Sequence, residues 1–226
     1  MSTIFWDFDG TLVYSHHLWS GSMYAALTAV HPDTAVTFLQ IRECNRRGYT
    51  WQTPERDYTD AIDDAWWHRF EAQAYAAYLS CGERDDIAAT AAALVRSFIL
   101  SPERYHLYPD TLDVLKACRQ RGHRNVILSN NYPELERTVK ALGLLPYFDG
   151  MIVSAHEGYD KPRRELFDIA RSRFPDTSYY MIGDNPKADV LGGKKANMIT
   201  VLVHSASSSP ADYTITQLSE IPDIVR

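Results

Sequence analysis

Cysteine is scarce in this chain: Cys44, Cys81 and Cys118 form an odd set at spacings that match no metal-binding pattern. That excludes a disulfide framework and a cysteine-built zinc site, and it predicts free thiols in a reducing compartment, the cytoplasm. Also missing is any apolar run long enough to span a bilayer, and the N-terminus enters a strand-like run where a secretory leader would begin. No membrane is therefore expected as a partner. Positive charge is short as well: 23 Lys and Arg against 29 Asp and Glu leave a formal net charge of -6 with no long basic stretch, which argues against nucleic acid as a partner. There is no internal repeat and no low-complexity segment. What is present is the composition of a folded chain, 226 residues of which 45% are apolar and 12% aromatic, enough for one large domain or a core with an inserted module. A monomer and a homodimer both fit these bounds.

The run Thr3-Ile4-Phe5-Trp6 reads as a buried strand without polar alternation, as in the parallel sheets of α/β proteins. Asp7-Phe8-Asp9-Gly10-Thr11-Leu12 follows it, so Asp7 and Asp9 fall at a strand's C-terminal end, where open α/β sheets place their ligands. Two acids one residue apart, with Gly10 letting the backbone turn away, can supply a nucleophile and a proton donor that also face a metal ion. A calcium loop would need glycine at its sixth position and glutamate at its twelfth, and this spacing has neither. A solvated turn remains the plain alternative for this stretch taken alone.

From residue 15 to about 102 the patterns are helical. Ile62, Trp66 and Phe70 recur four apart in the segment 59–79, and 85–100 is an alanine-rich helix stopped by Ser101-Pro102. The α/β alternation resumes at Leu107. A helix opened by Pro109-Asp110 runs to about residue 121, and strands are predicted at 125–128, 150–154, 179–182 and 200–203. Helices are predicted at 133–142, 163–174 and 189–196. Strand and helix at this spacing predict a Rossmann-like parallel sheet in three α/β/α layers, formed by 1–14 and 107–226, with a helical module inserted at 15–106.

Polar residues recur where these strands end: Ser129-Asn130-Asn131, then Lys161 in Gly158-Tyr159-Asp160-Lys161-Pro162, then Asp184 and Asp189 in the run from Gly183. All such ends open on one edge of a parallel sheet, so Asp7, Asp9, Ser129, Lys161, Asp184 and Asp189 can converge. Each taken singly has a simpler reading as a cap, a turn or a surface charge.

The ordered set D-x-D-G-T-L, a hydrophobic strand ending in Ser-Asn, an isolated Lys-Pro and G-D-x-x-x-x-D closely resembles the haloacid dehalogenase superfamily. The insertion after the first motif is similar to that family's first type of cap. The resemblance implies Asp7 as nucleophile, forming an aspartyl phosphate, and Asp9 as general acid and base. It implies Mg²⁺ held by Asp7, the Asp9 backbone carbonyl and Asp184. Lys161, Ser129 and Asn130 would contact the phosphoryl oxygens, and Asp189 would orient Asp184 and Lys161 from behind. Dehalogenases of this family expel halide, which needs no proton, and lack an acid at the position of Asp9; its presence favours phosphate transfer. Two departures from the pattern are Asn197, where glycine usually makes the left-handed turn, and Arg163-Arg164 after Lys161-Pro162.

The expected activity is thus a Mg²⁺-dependent phosphatase of a small phosphorylated metabolite. A phosphomutase of the same family, and a non-catalytic regulatory protein of the same fold, are the alternatives. Arg46, Arg47 and Tyr49, between two helical segments of the insertion, sit where the family carries its specificity loop. They are the expected selectors of substrate, against the plainer reading of a basic helix end.

Overall fold

The structure is a computed structural model describing residues 1–45, 53, 56–206 and 210–226. The expected selectors Arg46, Arg47 and Tyr49 lie outside the described residues. Strand β1 (Thr3–Trp6) leads to β2 (Val13–Tyr14), then to helices α1 (Leu18–Val30), α2 (Phe38–Asn45), α3 (Asp64–Ser80) and α4 (Asp85–Ile99). The chain returns through β3 (His106–Leu107), α5 (Thr111–Gln120), β4 (Arg124–Ser129), α6 (Leu135–Ala141), β5 (Gly150–Val153), α7 (Ser154–Glu157) and α8 (Arg164–Arg173). It ends in β6 (Tyr179–Gly183), a π-helical turn at Pro186–Leu191, α9 (Gly192–Lys195), β7 (Ile199–Leu202), β8 (Tyr213–Thr214) and α10 (Ile221–Ile224).

Six of the strands make one parallel sheet in the order β5-β4-β1-β6-β7-β8. The period of two along each strand explains its two buried faces. Ile4 and Trp6 of β1, Ile127 of β4 and Ile182 of β6 point to the face packed with Val114 and Leu115 of α5. Phe5, Val126, Leu128 and Met181 point to the face packed with Leu166 and Phe167 of α8. Every one of these side chains has no exposed surface except Val114, at 2%. Trp6 also donates its indole N–H to Asn125 Oδ1 at 3.0 Å, so this buried donor is satisfied.

The sequence pattern does not foresee β2 and β3, which pair antiparallel at the two places where the chain leaves and re-enters the sheet region. Two residues each are too short for any periodicity to register. Within the insertion α1 packs on α4, α3 on α4, and α2 against both α1 and α3. Trp66 and Phe70 stack with centroids 5.6 Å apart and planes 3° apart, as their spacing predicts, whereas Ile62 precedes the helix. Among the described residues no helix is long and apolar enough to cross a membrane.

The segment after β6 differs from the predicted helix at 189–196. Pro186 and the Asn185 side chain, which accepts from the Lys187 and Ala188 amides, start a wider turn earlier. There Asp189 N bonds Asn185 O at 3.0 Å and Val190 N bonds the same oxygen at 3.3 Å, the longer step of a π turn. Asn197 has φ +57, so it takes the left-handed conformation expected of it.

Candidate active site

Register explains why distant motifs meet. Trp6 of β1 pairs with Ile127 of β4 and with Ile182 of β6. One or two residues further along each chain come Asp7, Ser129 and Asp184, all at the same rim of the sheet. These three line a cavity of about 510 Å³ together with Asp9, Asn130 and Lys161, and with Trp19 from the insertion. Every core residue expected in the site is therefore at this rim, with Asp189 directly beneath.

Lys161 is the centre of its charge pattern. Its side chain is 1% exposed and its Nζ lies 2.6 Å from Asp189 Oδ1 and 3.0 Å from Asp7 Oδ1. Burial by itself would drive the ammonium toward neutrality. The carboxylates of Asp189 and Asp7 more than reverse this and hold its pKa above the usual lysine value, so the group stays a cation. Its backbone is pinned too: the Asn130 carboxamide accepts from Lys161 N at 2.7 Å and donates to Lys161 O at 2.9 Å. The Asn130 side chain is thus spent on the lysine loop, and a direct contribution to a phosphoryl oxygen would come from its backbone amide.

Asp9 sits in a different environment from Asp7. Its Oδ2 accepts from Asn131 Nδ2 at 2.7 Å, while Oδ1 is buried with no partner among the described residues. Desolvation pushes its pKa up to about 7; the Asn131 hydrogen bond opposes the shift and the Asp7 charge adds to it. Asn131 touches the candidate site although the motifs do not single it out. It is 1% exposed, and its amide N–H is itself fixed on Ser154 Oγ at 3.2 Å. The signal was the second asparagine of Ser129-Asn130-Asn131.

Close packing explains two glycines. A Cβ on Gly10, whose φ is +83, would lie 2.4 Å from Asp184 Oδ2, and a Cβ on Gly183 would lie 2.1 Å from Asp189 Oδ2. Each glycine lets a carboxylate lie against the backbone. Asp189 has both oxygens committed, Oδ1 to Lys161 and Oδ2 to the Asn185 amide at 3.0 Å. Asp184 is more open and receives a long bond from the Thr11 hydroxyl at 3.4 Å. Desolvation first, then the Asp7 charge, raises its pKa to about 7.

Asp7, Asp184 and Asp189 bring one carboxylate oxygen each within 4.8 Å of one another. With Asp9 they make four acids around the ammonium of Lys161, with Lys187 also lining the cavity, and every acidic donor in the set is a hard oxygen. Such a set fits a small divalent cation of the Mg²⁺ type and suits neither copper nor zinc thiolate chemistry. Because Asp189 is occupied by Lys161 and Asn185, the oxygens left to hold an ion are the carboxylates of Asp7 and Asp184. The Asp9 backbone carbonyl accepts no hydrogen bond among the described residues and is free to serve as a further oxygen donor.

Comparison with known proteins gives a consistent picture. Residues 1–197 match the family of haloacid dehalogenase-like hydrolases. The chain is similar to a phosphoserine phosphatase of Thermus thermophilus, 34% identical over 49% of this chain and 45% of that protein. It is also similar to a glyceraldehyde 3-phosphate phosphatase of Methanocaldococcus jannaschii, 29% identical over 53% of this chain and 56% of the other. The chain thus spans about half the length of the curated relatives it matches. In three dimensions it superimposes on the HAD-hydrolase YfnB of Bacillus subtilis, solved bound to magnesium, with a TM-score of 0.74 at 23% identity over 99% of this chain and 97% of that one. At that identity the likeness is one of fold.

Proposed function

This chain belongs to the haloacid dehalogenase-like hydrolases, and from that membership we propose that it is a Mg²⁺-dependent phosphatase of small phosphorylated metabolites that works through an aspartyl phosphate. The observation that carries the reading is the pair of unlike acids. Asp7 lies 3.0 Å from the Lys161 ammonium and is partly open, while Asp9 is desolvated with a pKa of about 7. A partly open carboxylate beside an ammonium suits a nucleophile, and a desolvated carboxyl two residues on suits a proton donor. Halide release would leave the second one without a task.

The Asp7 carboxylate attacks phosphorus and the bond from phosphorus to the leaving oxygen breaks. Asp9 gives its proton to that oxygen, so an alcohol departs and not an alkoxide. Lys161, held from behind by Asp189, offsets charge on the phosphoryl oxygens. The Ser129 hydroxyl and the backbone amides beside Asn130 donate to the same oxygens. Asp9, now ionised, takes a proton from the water that attacks the aspartyl phosphate, and phosphate leaves with Asp7 restored. Asp7, Asp184 and the Asp9 carbonyl would hold Mg²⁺, which would supply positive charge to offset the repulsion between a carboxylate nucleophile and a dianionic ester. The insertion, residues 15–106, acts as a cap that excludes water and chooses the substrate, and the cytoplasm is the proposed compartment.

The test is release of inorganic phosphate from a panel of phosphorylated metabolites. Release is expected with Mg²⁺, is expected to vanish with EDTA and to return on adding Mg²⁺. Turnover unaffected by EDTA would refute the metal requirement. Transfer to a second sugar phosphate without free phosphate would make the chain a phosphomutase, and no turnover on any substrate would favour the regulatory alternative.

A further inference from the structure

We propose that Tyr58, a residue of the inserted segment, is a positioning residue for Lys161, so that the insertion holds part of the catalytic machinery in place besides choosing the substrate. The inference rests on the phosphatase reading for the role of Lys161, while the juxtaposition itself stands on geometry. Tyr58 is 1% exposed and donates its hydroxyl to Asp160 Oδ1 at 2.6 Å; Asp160 is 2% exposed and immediately precedes Lys161. The Lys161 backbone is therefore held from the core by the Asn130 carboxamide, and the residue just before it is tied to the insertion by Tyr58.

The hydroxyl is not an isolated contact. Residues 58–63 run as a strap across 155–160, the end of α7 and the loop after it. Tyr58 N donates to Gly158 O at 2.9 Å and Asp63 N donates to Ala155 O at 2.9 Å, so both ends of the strap are bonded. Between them the backbones touch: a Cβ on Gly158 would lie 2.6 Å from Thr59 Cα. Glycine at position 158 therefore serves the strap as well as its own left-handed turn, at φ +76. Farther out, His156 of α7 bridges the Asp63 carboxylate and Pro133 O. Arg69 of α3 lies over the Tyr58 ring, 5.4 Å from its centroid.

The chemistry needs this. An ammonium that must meet both Asp7 and a phosphoryl oxygen tolerates little displacement, because misplacement of a catalytic group by an ångström costs about 10²-fold in rate. Lys161 reaches Asp7 from a loop, and a loop is held only by what lies on either side of it. Removing the phenol hydroxyl leaves a buried carboxylate one residue from Lys161 short of a strong donor. The loop then relaxes toward other donors and takes the lysine with it.

The variant is Tyr58→Phe, which keeps the ring and its burial and deletes one oxygen; Asp160→Asn, which keeps shape and removes charge, is the second. With p-nitrophenyl phosphate, too small to depend on selection by the insertion, Tyr58→Phe is expected to lower kcat about ten- to a hundredfold with KM changed by less than about twofold. On a Lys161→Ala background it should cost nothing further, a non-additivity that a merely structural role would not produce. Acylation of Lys161 by acetic anhydride, read by mass spectrometry, should rise severalfold in Tyr58→Phe and in Asp160→Asn, whether or not the chain turns over substrate. Unchanged kcat in Tyr58→Phe, a full additional loss on the Lys161→Ala background, or unchanged labelling of Lys161 in both variants would overturn the proposal. If wild type released no phosphate the phosphatase reading would fall, and the labelling alone would decide whether Tyr58 holds Lys161.

Discussion

The rim of the sheet and the inserted bundle are built on opposite principles. At the rim nearly every side chain is polar and most are tied by directional bonds: Lys161 to Asp7 and Asp189, Asp189 to Asn185, and Asp9 to Asn131. In the bundle the buried residues are almost all apolar, Trp66, Trp67, Phe70, Ala88, Ala91 and Val95 among them, and polar bonds to the core are few. The difference follows from what each region must do. A desolvated acid or ammonium is held in one place only by directional bonds, and an error in its position is an error in rate. A bundle that closes over a site needs only a well-packed interior and a handful of anchor points. Changes at the rim should therefore appear in kcat with stability nearly intact, and changes in the bundle, the Tyr58 strap apart, in stability and KM.

The largest expected effect is at the rim. Asp7→Asn keeps the shape of the side chain and removes the nucleophile, and turnover of an aryl phosphate should fall by at least about 10⁴-fold. Thermal unfolding should show no loss of stability, because the change also relieves the crowding of carboxylates around Lys161. A variant that keeps more than a tenth of the wild-type rate would remove Asp7 from the reaction.

A smaller effect separates Asp9 from its neighbours. With a folded pKa of about 7 it is protonated below that pH and ionised above it. The first chemical step needs the protonated form, so kcat/KM for an alkyl phosphate should fall as pH rises through about 7. For a nitrophenyl ester, whose leaving group needs no proton, it should stay flat. Asn131 donates to the ionised form, so Asn131→Leu should move the falling limb to higher pH. Asp9→Asn should slow the alkyl ester more than the nitrophenyl ester; equal slowing would show that Asp9 gives no proton to the leaving group. Stability carries the same sign. The raised carboxyl pKa of Asp9 makes a contribution to folding that is fully present below about 4 and is lost as pH rises to about 7.

How much of this the sequence discloses divides along the same line. Asp7, Ser129 and Asp184 were legible because strand ends in a parallel sheet have one place to go. The buried runs at 3–6, 125–128 and 179–182 carry that information in their composition. Lys161 was legible through the motif and not through periodicity. Asn131, Tyr58 and Asp160 were not, because their roles are bonds between residues 122 and 102 positions apart. No local pattern encodes such a bond. The two-residue strands β2 and β3 escaped for want of length, and the π turn at Pro186–Leu191 because its signals, Asn185 and Pro186, also suit an ordinary helix start. Helices of the bundle were legible as helices, yet what they face was not: Ile62, Trp66 and Phe70 predict a stripe, whereas Trp67, one residue off that stripe, is the side chain that reaches the core.

That tryptophan supplies the smallest and sharpest test of the comparison. Trp67 of α3 donates its indole N–H to Glu134 Oε2 at 2.6 Å, and the other oxygen of Glu134 is held by Arg96 of α4, whose guanidinium lies over the Trp67 ring 5.2 Å from its centroid. Glu134 lies on the loop that follows Ser129-Asn130-Asn131, so this cluster and the Tyr58 strap anchor the bundle to two different catalytic loops. Trp67→Phe removes the donor and part of the ring but leaves Arg96 to compensate Glu134. The expected cost is about 2 kcal/mol for a hydrogen bond to a charged acceptor, read as a lowered unfolding midpoint. KM for a metabolite should rise severalfold, while kcat on p-nitrophenyl phosphate should stay within about twofold of wild type, since no bond to Lys161 or Asp9 is touched. A loss of kcat comparable to that of Tyr58→Phe would mean that both anchors position the catalytic groups, and the division of labour between rim and bundle would have to be redrawn.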